Sequence, residues 1–186
     1  MSEGHSAQAA EFRLTSGSIF SKVNGVIQAS ILFFSFALIG LDQIAKYYAL
    51  YSLIDGGIAL VPHFIELNLA FNQGIAFSML ANESSIVHHL VTLFNMATII
   101  GLMVFLFYKK HHPLTKFGLI LIIAGGCGNL LDRIKLHMVI DFIQVKFFNF
   151  PLFICNLADI YVTMGALLFI YSRIFKQNER HLFSKN

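Results

Sequence analysis

Four stretches of the chain stay apolar for long enough to cross a hydrocarbon core, which takes about 20 residues of α-helix. They are residues 26–50, 86–108, 117–134 and 154–175, with His88 and His89 at the water boundary of the second. The first does not read as a cleaved signal peptide, because it is long, carries Asp42 and Lys46, and lacks a small-x-small cleavage site. The connections 51–85 and 135–153 change period. From His63 to Asn72, Ile65, Leu67, Leu69 and Phe71 alternate with Glu66, Asn68 and Asn72, which predicts a half-buried strand. Asn72-Gln73-Gly74 supplies a turn, Ile75 to Met79 can return as a second strand, and Met138 to Val145 repeats the strand pattern. The fold expected is an all-α membrane protein of four helices with a small β-sheet at one membrane surface. One membrane-embedded domain spans residues 26–175, between polar tails at 1–25 and 176–186.

Composition agrees with the pattern. Of 186 residues 56% are hydrophobic and 12% charged, about half the ~25% charge of a soluble domain. That leaves too little polar surface for a water-soluble globule and too much apolar surface for disorder. Nine of the thirteen basic residues flank the spans on one side: Arg13, Lys22, Lys109, Lys110, Lys116, Arg173, Lys176, Arg180 and Lys185. Cytoplasmic flanks hold that excess, so both termini are expected in the cytoplasm and both strand-bearing connections outside. The net charge of +3 then sets orientation in the membrane; no nucleic-acid partner is expected. The two cysteines, inside apolar stretches, read as packing residues.

With charge so scarce, each ionisable residue near a span needs a reason, since one at the bilayer centre costs at least about 2.5–3.5 kcal/mol. Asp42 and Lys46 are four apart and neutralise each other on one helical face, as a structural pair or as a substrate contact. In the third span Ala124 and Gly128 form a small-xxx-small step for close helix approach. Asn129, Asp132 and Arg133 share a helical face there, and a clamp that fixes packing is the simpler reading of Asp132 and Arg133. Asp141 lies on a strand face with Val139, Ile143 and Val145, a costly place for an unused carboxylate. Asp159 lies near the outer end of the fourth span, with Asn156 three residues earlier on the same helical face. Brought together at the outer interface, Asp141 and Asp159 would share a proton, one acting as base on water and the other donating, which suits peptide hydrolysis without metal or cofactor. Histidine and cysteine spacings give no metal motif, and Asn95 reads as an interhelical hydrogen-bonding residue.

These motifs resemble the bacterial lipoprotein signal peptidase family, also called signal peptidase II. Five blocks carry the resemblance in the family's order: Leu41-Asp42-Gln43 with Lys46; Asn72-Gln73-Gly74-Ile75-Ala76-Phe77-Ser78; Gly125 to Arg133; Val139-Ile140-Asp141-Phe142-Ile143; and Asn156-Leu157-Ala158-Asp159. The resemblance implies an aspartyl endopeptidase of the bacterial inner membrane, with its active site on the periplasmic side. Its substrates would be diacylglyceryl-modified prolipoproteins, cut immediately before the lipidated cysteine. Carried over position by position, the catalytic pair falls on Asp141 and Asp159. Asn72, Asn129, Arg133 and Asn156 match positions that line or order the family's site, and Asp42, Lys46, Gly125 and Asp132 match its other polar or close-packing positions. The outward strands then correspond to the family's cradle, and the segment before the second span to a short periplasmic helix over the site. Inhibition by the cyclic depsipeptide globomycin is implied, as is a monomer among membrane lipids with no cofactor and no metal. Departures fall at Cys155, where an aromatic is usual, at Ala45 in place of Thr, in the absence of tryptophan between the two aspartates, and in a longer N-terminal tail.

Two rival readings make different claims. An ion-coupled transporter would use Asp42, Asp132 and Asp159 as a relay spread across membrane depth, and a non-catalytic membrane scaffold would leave the aspartates without a chemical task.

Overall fold

The computed structural model describes residues 29–73, 85–108, 111–148 and 150–183. It contains helices α1 (Ala29–Ser52), α2 (Ser85–Tyr108), α3 (Pro113–Leu136) and α4 (Leu157–Phe183), with strands β1 (Ile58–Val61) and β2 (Ile65–Asn72) before α2 and β3 (Val139–Phe147) and β4 (Phe150–Cys155) between α3 and α4. All four helices are long and apolar enough to cross a membrane. The expected return strand at 75–79 and the expected short helix before α2 lie outside the described residues. Residues 37–186 form one compact unit; of the other, 1–36, the described part is the start of α1, where Leu32, Phe33 and Phe36 expose their side chains.

The helices begin and end where local chemistry dictates. His112 caps α3 by accepting the Leu114 N–H, Pro113 occupies the first helical position, and His137 closes the helix in the left-handed region (φ 58°), its N–H bonded to the Arg133 carbonyl. The fourth helix starts at Leu157, later than the hydrophobic count alone predicts, because residues 150–155 form β4. Apolar content cannot tell a buried strand from the first turn of a helix; Pro151, tolerated on an outer strand, sits inside this one.

Glycine sets the α3–α4 distance. A Cβ on Gly125 would stand 2.3 Å from the Ala158 carbonyl oxygen, and one on Gly165 2.5 Å from the Gly118 carbonyl oxygen. Only hydrogen fits at such contacts, as in other membrane helix pairs. Gly128, expected to let a neighbouring helix approach closely, does so for two: a Cβ there would lie 2.7 Å from the Asp42 carboxylate of α1 and 3.2 Å from the Ala158 Cβ of α4. On α2, Asn95 donates to the Gly126 carbonyl of α3 at 3.4 Å, the interhelical role expected of it.

The four strands form one antiparallel sheet in sequence order, β1-β2-β3-β4. The C-terminus of α3 leads into β3 and the N-terminus of α4 follows β4, and the start of α2 lies beside the end of α3, the His88 and His137 rings 5.3 Å apart. Phe142 of β3 packs with Ala49 of α1 and with Leu53, just after that helix, in an apolar cluster that joins sheet to helix. Between β2 and β3 the register runs Leu67 to Ile143 and then Ala70 to Asp141, so two residues of β2, Asn68 and Leu69, oppose Phe142 alone. This β-bulge overturns the simple alternation along β2. In an unbroken register the Asp141 face of β2 would carry Leu69 and Phe71; the extra residue reverses the faces and puts Ala70 and Asn72 there instead.

Candidate active site

The bulge has a chemical result. Asn72 now lies on the face of Asp141 and donates from Nδ2 to Asp141 Oδ2 at 3.1 Å. Asn156 Nδ2 donates to the other oxygen at 2.6 Å and to the Ile140 carbonyl at 3.3 Å. Asp141 is buried, and that burial, reinforced by the negative charge of Asp159, pushes its carboxyl up to about 6.

Asp159 is held by the start of α4. Asn156 is the N-cap of that helix, a correction to its expected place on the helical face: its Oδ1 accepts the Asp159 N–H at 3.0 Å, and Asp159 Oδ2 accepts the Asn156 N–H at 3.2 Å. This reciprocal pair is a capping box built from Asn and Asp, which satisfies two N–H groups a helix start leaves open. The amide of Asn156 therefore touches both aspartates, one through its oxygen and the other through its nitrogen. Asp159 Oδ1 accepts from Asn129 Nδ2 at 2.8 Å.

Beneath Asn129 lies a closed network of charges. Lys46, 1% exposed, donates to Asn129 Oδ1 at 2.9 Å, to Asp42 Oδ2 at 2.9 Å and to Asp132 Oδ2 at 2.8 Å. Three acceptors meet the three protons of its ammonium. The remaining oxygens are met as well: Asp42 Oδ1 accepts the Ala158 N–H and Asp132 Oδ1 accepts Gln43 Nε2. Asp42, Lys46 and Asp132 thus support the pair from below, and none of the three is in the lining of the cavity that holds Asp141 and Asp159. Asn129, Asp132 and Arg133, expected together on one face, divide their contacts. Asp132 turns to Lys46 and Gln43, Asn129 bridges Lys46 to Asp159, and Arg133 lies within electrostatic range of Asp159 and Asp141. Gly125 contributes its missing side chain beside Ala158, immediately before Asp159 in the chain.

Asp141, Asp159 and Asn72 open onto one cavity of about 450 Å³. Its other walls are Phe153, Ile154 and Cys155 of β4 and Ile160, Thr163 and Met164 of α4. A second cavity, of about 530 Å³, lies among α2, α3 and α4, with Asn129 and Arg133 in its lining beside apolar residues of α2. Cys155 is no competing nucleophile: burial first, then the nearby Asp159 and Asp141 charges, push its thiol up to about 11. Among the described residues no group of three or more His, Cys, Asp or Glu side chains is placed to hold a metal.

Residues 34–175 match the family profile described as Signal peptidase (SPase) II. The chain belongs to the signal peptidase II family. It is 34% identical over 142 residues to the lipoprotein signal peptidase of Streptococcus pneumoniae, covering 74% of this chain and 87% of that one. Against the lipoprotein signal peptidase of Clostridioides difficile the identity is 35% over 148 residues, covering 77% and 94%. A solved bacterial membrane enzyme, 25% identical, superposes with a TM-score of 0.70 over 81% of this chain and 91% of its own. As a signal peptidase II family member with four spanning helices, the chain is a multi-pass membrane peptidase. The family match contains every site residue named from the sequence, Asp42 through Asp159. Gln43, which bridges Asp132 to the Gly128 carbonyl, was missed as a separate site residue, though its position three before Lys46 places it on the same side of α1. The N–H groups of Ile140 and Ala158 that bind Asp132 and Asp42 carry no sequence signal, because every non-proline residue has one.

Proposed function

We propose that this chain is an aspartic endopeptidase that removes the signal peptide from diacylglyceryl-modified prolipoproteins, cutting immediately before the lipidated cysteine. The observation that carries the reading is the pair of carboxyls, Asp141 and Asp159, lining one cavity and both bonded to one residue, Asn156, by its side-chain Nδ2 to Asp141 and by its backbone N–H to Asp159. In the working state Asp141 holds the proton and Asp159 is ionised. Asp159, at the positive end of the α4 dipole and within range of Arg133, takes a proton from water as the water oxygen attacks the scissile carbonyl. Asp141 gives its proton to the carbonyl oxygen. Collapse of the resulting diol breaks the C–N bond: the proton held by Asp159 passes to the leaving nitrogen, and one diol hydroxyl returns its proton to Asp141. Asn72, Asn129 and Asn156 fix the two carboxyls, and Lys46 with Asp42 and Asp132 holds Asn129.

The lipid requirement follows from the family's substrates and fits a site at the sheet ends of apolar helices. Basic residues gather at the opposite ends, so both termini belong in the cytoplasm and the site on the periplasmic side of the inner membrane. Residues 26–175 then constitute the catalytic domain, active as a monomer and sensitive to globomycin-like cyclic depsipeptides. The purified protein in lipid should cleave a diacylglyceryl-modified prolipoprotein and leave its unlipidated form intact. Asp141→Asn and Asp159→Asn should each lower kcat by at least about 10²–10⁴ while the protein stays folded. Equal cleavage of both substrates would remove the lipid requirement, and turnover near wild type in either variant would remove the dyad.

A further inference from the structure

The cavity beside the two aspartates touches three successive residues of β4, Phe153, Ile154 and Cys155. Successive side chains of a strand point to opposite faces, so a cavity that meets all three runs along the strand's edge rather than over a face. Among the described residues β4 is the last strand of the sheet, with β3 on one side. Along an antiparallel strand, residues alternate between turning both N–H and C=O to the neighbour and turning both away. Opposite β3, Cys155 stands across from Ile143 and Ile154 from Gln144. One of Ile154 and Cys155 therefore presents a donor and an acceptor to the side away from β3. The facing wall comes from Ile160, Thr163 and Met164, spaced three and four apart on one side of α4. The cavity is a slot between a backbone edge and a mostly apolar helix face, open to both carboxyls.

We propose that the outer edge of β4 at Ile154 and Cys155 is the docking strand for the substrate backbone, with the peptide beside the scissile bond lying extended as an added strand. This rests on the peptidase reading above and adds to it how the peptide is held. Strand addition draws affinity from main-chain hydrogen bonds, which are indifferent to side chains, and takes selectivity from every second side chain. One site could thus accept varied signal peptides while constraining alternate positions near the cut.

The test uses the wild-type protein in lipid and a series of diacylglyceryl-modified prolipoprotein peptides. In each, one amide flanking the cleavage site, but not the scissile one, is replaced by an ester, which removes an N–H and leaves the side chains unchanged. On one side of the scissile bond kcat/KM should fall by roughly three- to tenfold at alternate positions, the effect of one hydrogen bond, and hold at the positions between. A uniform profile, or no effect at any position while the parent peptide is cleaved, overturns strand addition. Failure to cleave the parent peptide overturns the peptidase reading, and this inference with it.

Discussion

Asp141 is a carboxyl that folding has enclosed among apolar strand neighbours and set beside another carboxyl, and both circumstances favour its neutral form. The sign of the pH response follows. With its pKa raised to about 6, Asp141 carries a proton below that pH and loses it above. With Asp141 as the acid, kcat/KM measured on a lipidated substrate should decline tenfold per unit above about pH 6. A profile flat from about pH 5 to pH 8 would exclude Asp141 from that role. The residues at this scale were readable from the chain because charge is scarce: a carboxylate on an apolar strand face and another at the start of a span each demanded a reason. Their mutual contact through Asn156 was not readable, since Asn156 and Asp141 are fifteen positions apart and meet only when β3 and β4 pair.

At the scale of elements, the α3–α4 contact and the β2 bulge decide whether those residues meet. Gly125→Ala would drive a methyl group to within 2.3 Å of the Ala158 carbonyl oxygen, against backbone that cannot swing aside. Overpacking of this kind costs about 1–3 kcal/mol. Thermal unfolding in detergent should show a lowered Tm, and kcat should fall with it because Ala158 adjoins Asp159. Gly101→Ala, where nothing lies within 4 Å of the added carbon, should leave both unchanged or raise the Tm slightly. An unaltered Tm in Gly125→Ala would refute the close-contact account. Helices were legible from hydropathy to within a few residues, but the glycine that fits each contact was not. Gly128, with the right spacing from Ala124, does meet side chains of α1 and α4 closely, but the close approaches to backbone, made by Gly118, Gly125 and Gly165, carried no such signal. The bulge was hidden for a similar reason. Alternation reports which faces differ along one strand, while register against a partner is a property of two.

For the whole molecule, the proposed topology, with the sheet outside and both termini in the cytoplasm, rests on the distribution of charge. A cysteine introduced at Asp55 or Phe148, near the sheet, should react with a membrane-impermeant thiol reagent added to intact cells with a permeable outer envelope. One introduced at His112, between α2 and α3, should react only after the inner membrane is opened. The reverse pattern would invert the proposed topology. The transporter reading fares poorly at this scale: Asp42 and Asp132 are not steps in a path across the membrane but share Lys46, with their oxygens bonded to it, to Gln43 and to backbone N–H groups. The sequence by itself determined the membrane class, the number of spans, and the few polar residues worth attention, because hydropathy and the cost of burying charge are properties each residue carries alone. Only the tertiary structure decided which of them touch: a one-residue bulge turned Asn72 toward Asp141, a helix cap joined Asn156 to Asp159, and the outer edge of β4 came to line the cavity. Those outcomes depend on register, close packing and chain ends meeting in space, which no single stretch of sequence contains.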